Sequence, residues 1–562
     1  MKIIRTRFET YLLCAALVVL PAVVQAQFTF TTNNGAITIT GYTGPGGTVG
    51  IPDTTNGYPI TSIGNSAFQS CNSLTNVMIG TNVTSIANFA FQSCTNLTSV
   101  AIPNSVTYIG DGAFYGCSSL TSVSIPNDIT SIGINSFSGC SLTNIAIPNS
   151  VVSIGDGAFQ YCGNLTSVMI PNSVYSIGFH AFDGCASMTA IMVDTNNLVY
   201  SSVAGVLFDK SQTMLIQCPA GKAGNYSLPS SVISIENYAF SGSKLMSITI
   251  PNSVTNIGDN SFSGCSLTNI AIPNSVVSIG GGAFYSCSSL TSVSIPASVA
   301  NIGGSAFARC MTLTVITVDT NNPAYSSVAG VLFDKSQTTL IQCPGGKAGS
   351  YTIPNNVIIV GGNAFQFCNN LTNINIANSI TSIGISAFDY CASLSNVTIG
   401  NSVTSIGNNA FQSCPKLTSI TLPSSISSIG DYAFYYCTSL TSVFFKGNAP
   451  SLGGSSVFSG DNNTVYYLPG TKGWGTTLGG RPTKLWNPQM QTSGAGFGVR
   501  TNRFGFTITG TSGLVIVVEA CTNFASPVWQ PVKTNTLTGG SSYFNDSQWT
   551  NYLGRFYRLR SP

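Results

Sequence analysis

From Ile60 to Cys437 the apolar positions of this chain return about every 23 residues. In the copy LTSVSIPNDITSIGINSFSGC, Leu120 to Cys140, they are Leu120, Val123, Ile125, Ile129, Ile132, Phe137 and Cys140. Val123 and Ile125 alternate with period two, which predicts a short strand with both side chains inward. Pro126 ends that strand, because proline has no N–H for a ladder. Ile129 and Ile132 predict a second extended piece, and Gly133 a turn. The Ala-Phe-x-x-Cys segment, as in Ala113, Phe114 and Cys117, has the spacing of a single helical or 3-10 turn. A unit this short cannot bury its apolar side alone, so neighbouring copies must stack. The predicted fold is a β-rich solenoid, a right-handed coil of about 23-residue repeats with short strands and single helical or 3-10 turns.

Phenylalanine marks each coil, from Phe68, Phe91 and Phe114 through Phe240 and Phe365 to Phe434, mostly 22 or 23 residues apart. Two intervals are 58 residues. Both hold nearly the same insertion, near 194–225 and 319–350. Gly205 to Phe208 and Met214 to Gln217 flank the turn Asp209-Lys210-Ser211-Gln212, which predicts a β-hairpin. The insertions lie 125 residues apart, and Asn135 to Gly155 equals Asn260 to Gly280 at the same offset. A block of that length was duplicated in tandem.

The ends differ from the array. Lys2, Arg5 and Arg7, the apolar run Tyr11 to Leu20 and the small-residue site Val24-Gln25-Ala26 predict a signal peptide over 1–26. Residues 27–59 read as an N-terminal cap, with strand-like alternation in Ala36 to Ile39. The repeats span 60–443. Residues 444–486 read as a C-terminal cap and 487–496 as a linker. Residues 497–562 read as a small, separate β-sandwich-like C-terminal module, with strand-like runs at Phe504 to Thr509 and Leu514 to Glu519.

The repeat, as in LTSVAIPNSVTYIGDGAFYGC from Leu97, resembles the BspA-type leucine-rich repeat. The GVLFDKSQT segment resembles the irregular repeat found among such proteins. The resemblance covers roughly 36–470 and recurs more than a dozen times. It implies a secreted or surface-exposed bacterial protein, several relatives being adhesins. It implies no catalytic residue and no cofactor.

Composition narrows the partner. Charged residues are 7% of the chain and mean hydropathy is +0.29, yet beyond the N-terminus no apolar run approaches the roughly 18 residues of a spanning helix. The mature chain is therefore expected to have no transmembrane segment. Of the net +3, the segment 1–26 carries +2 and residues 490–562 carry +4, leaving −3 on the rest. A nucleic-acid partner wants a concentrated basic stripe, so none is expected. The expected partner is a protein or an extracellular polymer.

Thirteen of the 17 cysteines share one repeat position, from Cys71 and Cys94 to Cys437, with Ser243 near one missing rung. Identical rungs about 4.8 Å apart would point the same way, so buried free thiols are expected rather than disulfides. No His or Cys-x-x-Cys cluster accompanies them, so no metal site is expected. His180 is the only histidine and sits in a turn, which leaves triad chemistry without support. Asp111, Asp156 and Asp431 occupy equivalent loop positions and read as solvated. The Asp-Thr-Asn-Asn segments from Asp194 and Asp319 read as Asx turns rather than calcium loops.

The remaining candidate is the outward face of the Leu-x-x-Val-x-Ile strands. Its candidate binding residues are Asn76, Ser99, Ser122, Ser124, Asn144, Ser167, Ser292, Ser294, Asn373, Asn375, Asn396 and Ser419. The face list ends at Ser442 and Phe444 and holds no charge. Three functions compete. A secreted or cell-surface repeat protein would bind through this neutral face in adhesion or protein–protein contact. A structural spacer would dock to the cell through its basic C-terminal module. An extracellular glycan-acting enzyme is the remotest.

Overall fold

A computed structural model describes residues 27–560. The expected signal peptide, 1–26, lies outside the described residues. The chain forms two compact units: one runs to Leu267 and includes Ser278–Ala283, and the other joins Thr268–Val277 to Phe284 onward.

In the first unit the Val-x-Ile segments form parallel rungs in register. Leu74–Ile79 pairs with Ser99–Ala101, which pairs with Ser122–Val123, so that Asn76, Ser99 and Ser122 align. A second column aligns Ile63, Ile86 and Ile109. The inward residues of both columns are buried with the phenylalanines in one core. Phe91, Phe114, Phe137 and Phe159 stack with centroids 5.3–5.7 Å apart and planes within 6° of parallel. At the start, Phe28–Asn33 lies antiparallel to Ala36–Tyr42, and the rings of Phe28 and Tyr42 cover Phe68 at 6.1 and 5.3 Å.

The Ala-Phe-x-x-Cys segment is not the helical turn expected from its spacing. The residues two before and two after each phenylalanine take positive φ, as in Ser66 (54°) and Ser70 (58°), or Gly112 (59°) and Gly116 (70°). Alternating hand flattens the segment and turns every second N–H outward along the stack. Ser66, Phe68 and Ser70 donate to the carbonyls of Asn88, Ala90 and Gln92 in the next coil, at 2.7–3.1 Å. Gln69 and Cys71 close bonds within the coil instead. A helix would keep all these bonds to itself, so the segment serves as a third rung. Among the described residues the only 3-10 turn is Trp549–Asn551.

The insertion in each unit holds one strand more than the sequence predicts. Tyr200–Val203 pairs antiparallel with Val206–Asp209, which pairs with Met214–Gln217. Ala204 (φ 50°) and Gly205 (φ 78°) make the extra turn. A turn with two positive φ values usually announces itself as Asn-Gly, and alanine hides it. The second unit repeats the arrangement with Tyr325–Val328, Val331–Asp334 and Thr339–Gln342.

The second unit carries its own phenylalanine column, Phe365 to Phe458, with spacings of 4.7–5.5 Å. Its last coils pair Ser442–Phe445, Thr464–Tyr467 and Arg481–Leu485 in parallel. Within 487–496, read from sequence as a linker, Gln489–Gln491 pairs with Arg503–Thr509. The C-terminal module has two sheets. One holds Gln489–Gln491, Gly498–Arg500, Arg503–Thr509 and Ser541–Asp546, and the other Val515–Cys521, Gln530–Thr536 and Phe556–Arg560. The module is not separate. Phe444 and Tyr466 of the last coils share its buried core with Phe506, Ile516 and Phe544.

Candidate binding face

The strand face is built by alternation. Where Val100 and Ile102 point in, Ser99 and Ala101 must point out. In the first unit Ser122, Ser124 and Asn144 are exposed, and Asn76, Ser99 and Ser167 are half-buried. In the second unit Ser292, Ser294, Asn375 and Asn396 are exposed, and Asn373 and Ser419 are half-buried. Asn144 lies in a coil segment that forms no strand. The polar groups bond along each face. Ser99 Oγ donates to Asn76 Oδ1 at 2.8 Å, and Asn396 Nδ2 to Asn373 Oδ1 at 2.7 Å. Met78, Met169 and Met192 interrupt the face in the first unit with exposed thioethers.

The face stops earlier than the sequence predicts. Ser442 and Phe444 are only 6% and 4% exposed, and Phe444 packs into the core of the C-terminal module. Outward alternation cannot foresee a neighbour packed on top.

Beside the strands runs a threonine row that sequence reasoning missed. Thr98 Oγ1 donates to the Thr75 carbonyl at 2.8 Å, and Thr441 to Thr418 at 3.2 Å. The recurring Leu-Thr pair is its signal: threonine there satisfies a carbonyl of the preceding coil. The loop acids likewise hold coils together. Asp111 Oδ1 accepts from the Ile134 N–H and Asp156 Oδ1 from the Phe179 N–H, each at 2.8 Å. His180 takes φ 58°, like Gly112 and Asn135 at the same repeat position. Its ring packs 4.4 Å from Tyr238, with Nδ1 3.5 Å from Asp183.

The cysteines form the predicted ladder of free thiols among the described residues, with Cys71 half-buried and the others buried. Most ladder thiols also bond the backbone of the preceding coil. Cys94 Sγ donates to the Phe68 carbonyl at 2.9 Å, Cys117 to Phe91 at 3.1 Å and Cys437 to Phe411 at 3.0 Å. Burial pushes the Cys94 and Cys162 thiols up to about 12. Ser243 occupies the missing rung, fully buried, 3.3 Å from Cys265 Sγ. A thiol reagent at pH 8 should therefore label native protein at Cys71 at most, and denatured protein at nearly every cysteine. Few sulfhydryls after denaturation would refute free thiols.

After Phe458 the same rung is Asp461, only 6% exposed. Burial pushes its carboxyl up to about 8, against a smaller opposing pull from Arg481. The folded state thus holds a proton that the unfolded state releases near pH 4. Stability is expected to fall as pH rises from about 4 to 8, and Asp461→Asn should flatten that slope. Urea midpoints at pH 5 and pH 9 for both proteins check this.

Three rungs per coil, an internal phenylalanine column and a thiol ladder recur through both units. Residues 50–164, 152–216, 217–335 and 346–464 match the BspA type leucine rich repeat region. The chain belongs to this family. As a BspA-type chain it is similar to a leucine-rich repeat protein from Bacteroides ovatus, at 26% identity over 82% of this chain and 98% of that one, with a TM-score of 0.38. It is also similar to a leucine rich cell surface protein from Faecalibacterium prausnitzii, at 26% identity, 78% and 93% coverage and a TM-score of 0.31. A leucine-rich repeat protein from Eubacterium ventriosum matches at 24% identity, 81% and 96% coverage and a TM-score of 0.36. No curated protein matches. Among the described residues no helix is long and apolar enough to cross a membrane, which leaves strand-built spans unaddressed.

Proposed function

We propose that this BspA-type protein is exported and binds a protein partner at the cell surface through its strand face. The carrying observation is the face itself: serine, threonine and asparagine in register, exposed or half-exposed, with no charge among the candidate positions from Asn76 to Ser419. Such a face has little desolvation cost per residue and no long-range steering, so it suits broad, shape-led contact rather than capture of a charged ligand. The family is one of repeat proteins, which favours a binding role over catalysis.

The test uses the full chain with Ser122→Glu, Ser124→Glu and Asn144→Glu combined. These are exposed positions, so the fold should be unaffected. Solid-phase binding to fibronectin, fibrinogen and collagen is expected to drop at least tenfold while the thermal midpoint stays within about 2 °C. Unchanged binding by a folded variant removes this face from the function.

A further inference from the structure

Within the second unit, the last coils and the C-terminal module enclose a cleft of about 780 Å³, in the size range of ligand sites. One wall is the strand face, with Asn396, Thr398, Ser419 and Thr421. The other is the strand Phe556–Arg560. We infer that this cleft is a docking site for an extended acidic peptide that adds as a strand to the Phe556–Arg560 edge.

Charge is the first argument. Lys446, Arg558 and Arg560 line the cleft and no carboxylate does. Glu519, 4% exposed, is held by both arginines, with Nε to oxygen distances of 2.7 and 2.5 Å. Burial alone would raise its carboxyl, but the bonds from Arg560 and Arg558 outweigh that and hold it below the usual range. The lining itself is basic, with Lys446 beside the arginine strand. Arg558 also lies over the Trp529 ring at 4.5 Å, so its guanidinium is fixed before any ligand arrives.

The second argument is the strand edge. Among the described residues, Phe556–Arg560 pairs with Val515–Cys521 and with no other strand. Arg558, Leu559 and Arg560 all line the cleft, although alternate side chains of a strand point opposite ways. The strand therefore meets the cleft edge-on, offering main-chain N–H and C=O groups to an extended chain. A sugar polymer finds less here. Phe444, Phe445 and Tyr466 are nearly buried, and of the lining aromatics only Trp486 is half-exposed, so such a polymer finds one stacking ring at most.

The cleft shares Asn396 and Ser419 with the C-terminal end of the face proposed above, but that reading is tested at Ser122, Ser124 and Asn144, so the two can fail separately. The probe is a fluorescein-labelled decapeptide of alternating aspartate and valine, titrated with the full chain in 50 mM salt and read by fluorescence anisotropy. Micromolar binding is expected, weakened at least tenfold by Thr398→Glu and by Lys446→Glu, both at exposed positions, with circular dichroism confirming the fold. Asn196→Glu, at an exposed turn position outside the strand face, should leave it unchanged. N-methylation of alternate peptide amides should also cost at least tenfold, since it removes the main-chain donors. Absence of binding at 1 mM peptide, indifference to both cleft variants, equal affinity of the N-methylated peptide, or tighter binding of polygalacturonate each overturns the proposal.

Discussion

Replacing Phe114 with alanine is expected to destabilise the first unit by about 3–5 kcal/mol, the usual cost of truncating a fully buried phenylalanine. Phe114 has no exposed surface and packs between Phe91 at 5.3 Å and Phe137 at 5.5 Å. Alanine loses ring contacts on both sides at once, and the cavity cannot collapse, because inter-coil hydrogen bonds fix the coil spacing. Phe114 itself donates to the Ser136 carbonyl at 2.8 Å, and Phe91 to Ala113 at 2.7 Å. Phe114→Leu fills most of the volume and should cost clearly less. Urea unfolding gives the magnitude, and hydrogen exchange should localise the loss to the coils of Phe91 to Phe137. A loss under 1 kcal/mol would mean that the column is not a close-packed support.

The second large effect is expected at Asn197. This side chain is fully buried and makes four bonds to main chain. Nδ2 donates to the carbonyls of Pro171 and Val174 at 2.8 Å, and Oδ1 accepts from the N–H groups of Val199 and Tyr200 at 2.9 and 2.7 Å. Asn197→Ala strands all four partners. Each buried polar group left unmet costs about 1–3 kcal/mol, and water entry recovers some of that, so a loss on the order of 4 kcal/mol is expected. Asn197→Asp should be worse, since a carboxylate would face two carbonyl oxygens. The duplicate residue Asn322 bonds Pro296, Val299, Ala324 and Tyr325 in the same way. Asn322→Ala should therefore cost a similar amount in the second unit. Asn196→Ala, at an exposed neighbour, should be nearly neutral. Thermal unfolding of the four variants decides the point, and a neutral Asn197→Ala would refute the clamp.

Asn197 also shows where sequence reading stopped. The Asp-Thr-Asn-Asn segment reads as an Asx turn, and Asp194 does make one, accepting from the Asn196 N–H at 2.8 Å. Nothing local distinguishes Asn196 from Asn197. Only the preceding coil, which supplies Pro171 and Val174, makes the second asparagine a clamp. His180 is a partial counterexample. Its repeat position is often glycine or asparagine, which tolerate left-handed backbone, but Ser66, Phe89 and Tyr238 stand there too, so composition announced the conformation only in part. The aromatics on the turn edge were less readable. Phe367 and Tyr390 stack at 4.8 Å at left-handed positions, with Arg309 4.1 Å from the Phe367 ring. Such bulky residues argue against positive φ locally, and only the inter-coil bonds impose it.

The 23-residue period by itself determined the coil, the inward Leu, Val, Ile, Phe and Cys positions, the free-thiol ladder and the neutral outward face. These follow from local alternation and from the demand that every coil bury its apolar side on the next. Tertiary structure alone decided the hand of the Ala-Phe-x-x-Cys segment, because its hydrogen-bond partners lie one coil away. It also decided that the C-terminal module shares a core with the last coils, where Phe444 and Tyr466 turn from exposed alternation to burial. The cleft lined by Thr398, Lys446 and Arg558 exists only because of that docking: its two walls are more than 100 residues apart in the chain. No local pattern relates residues at such a separation, so neither wall could announce the other.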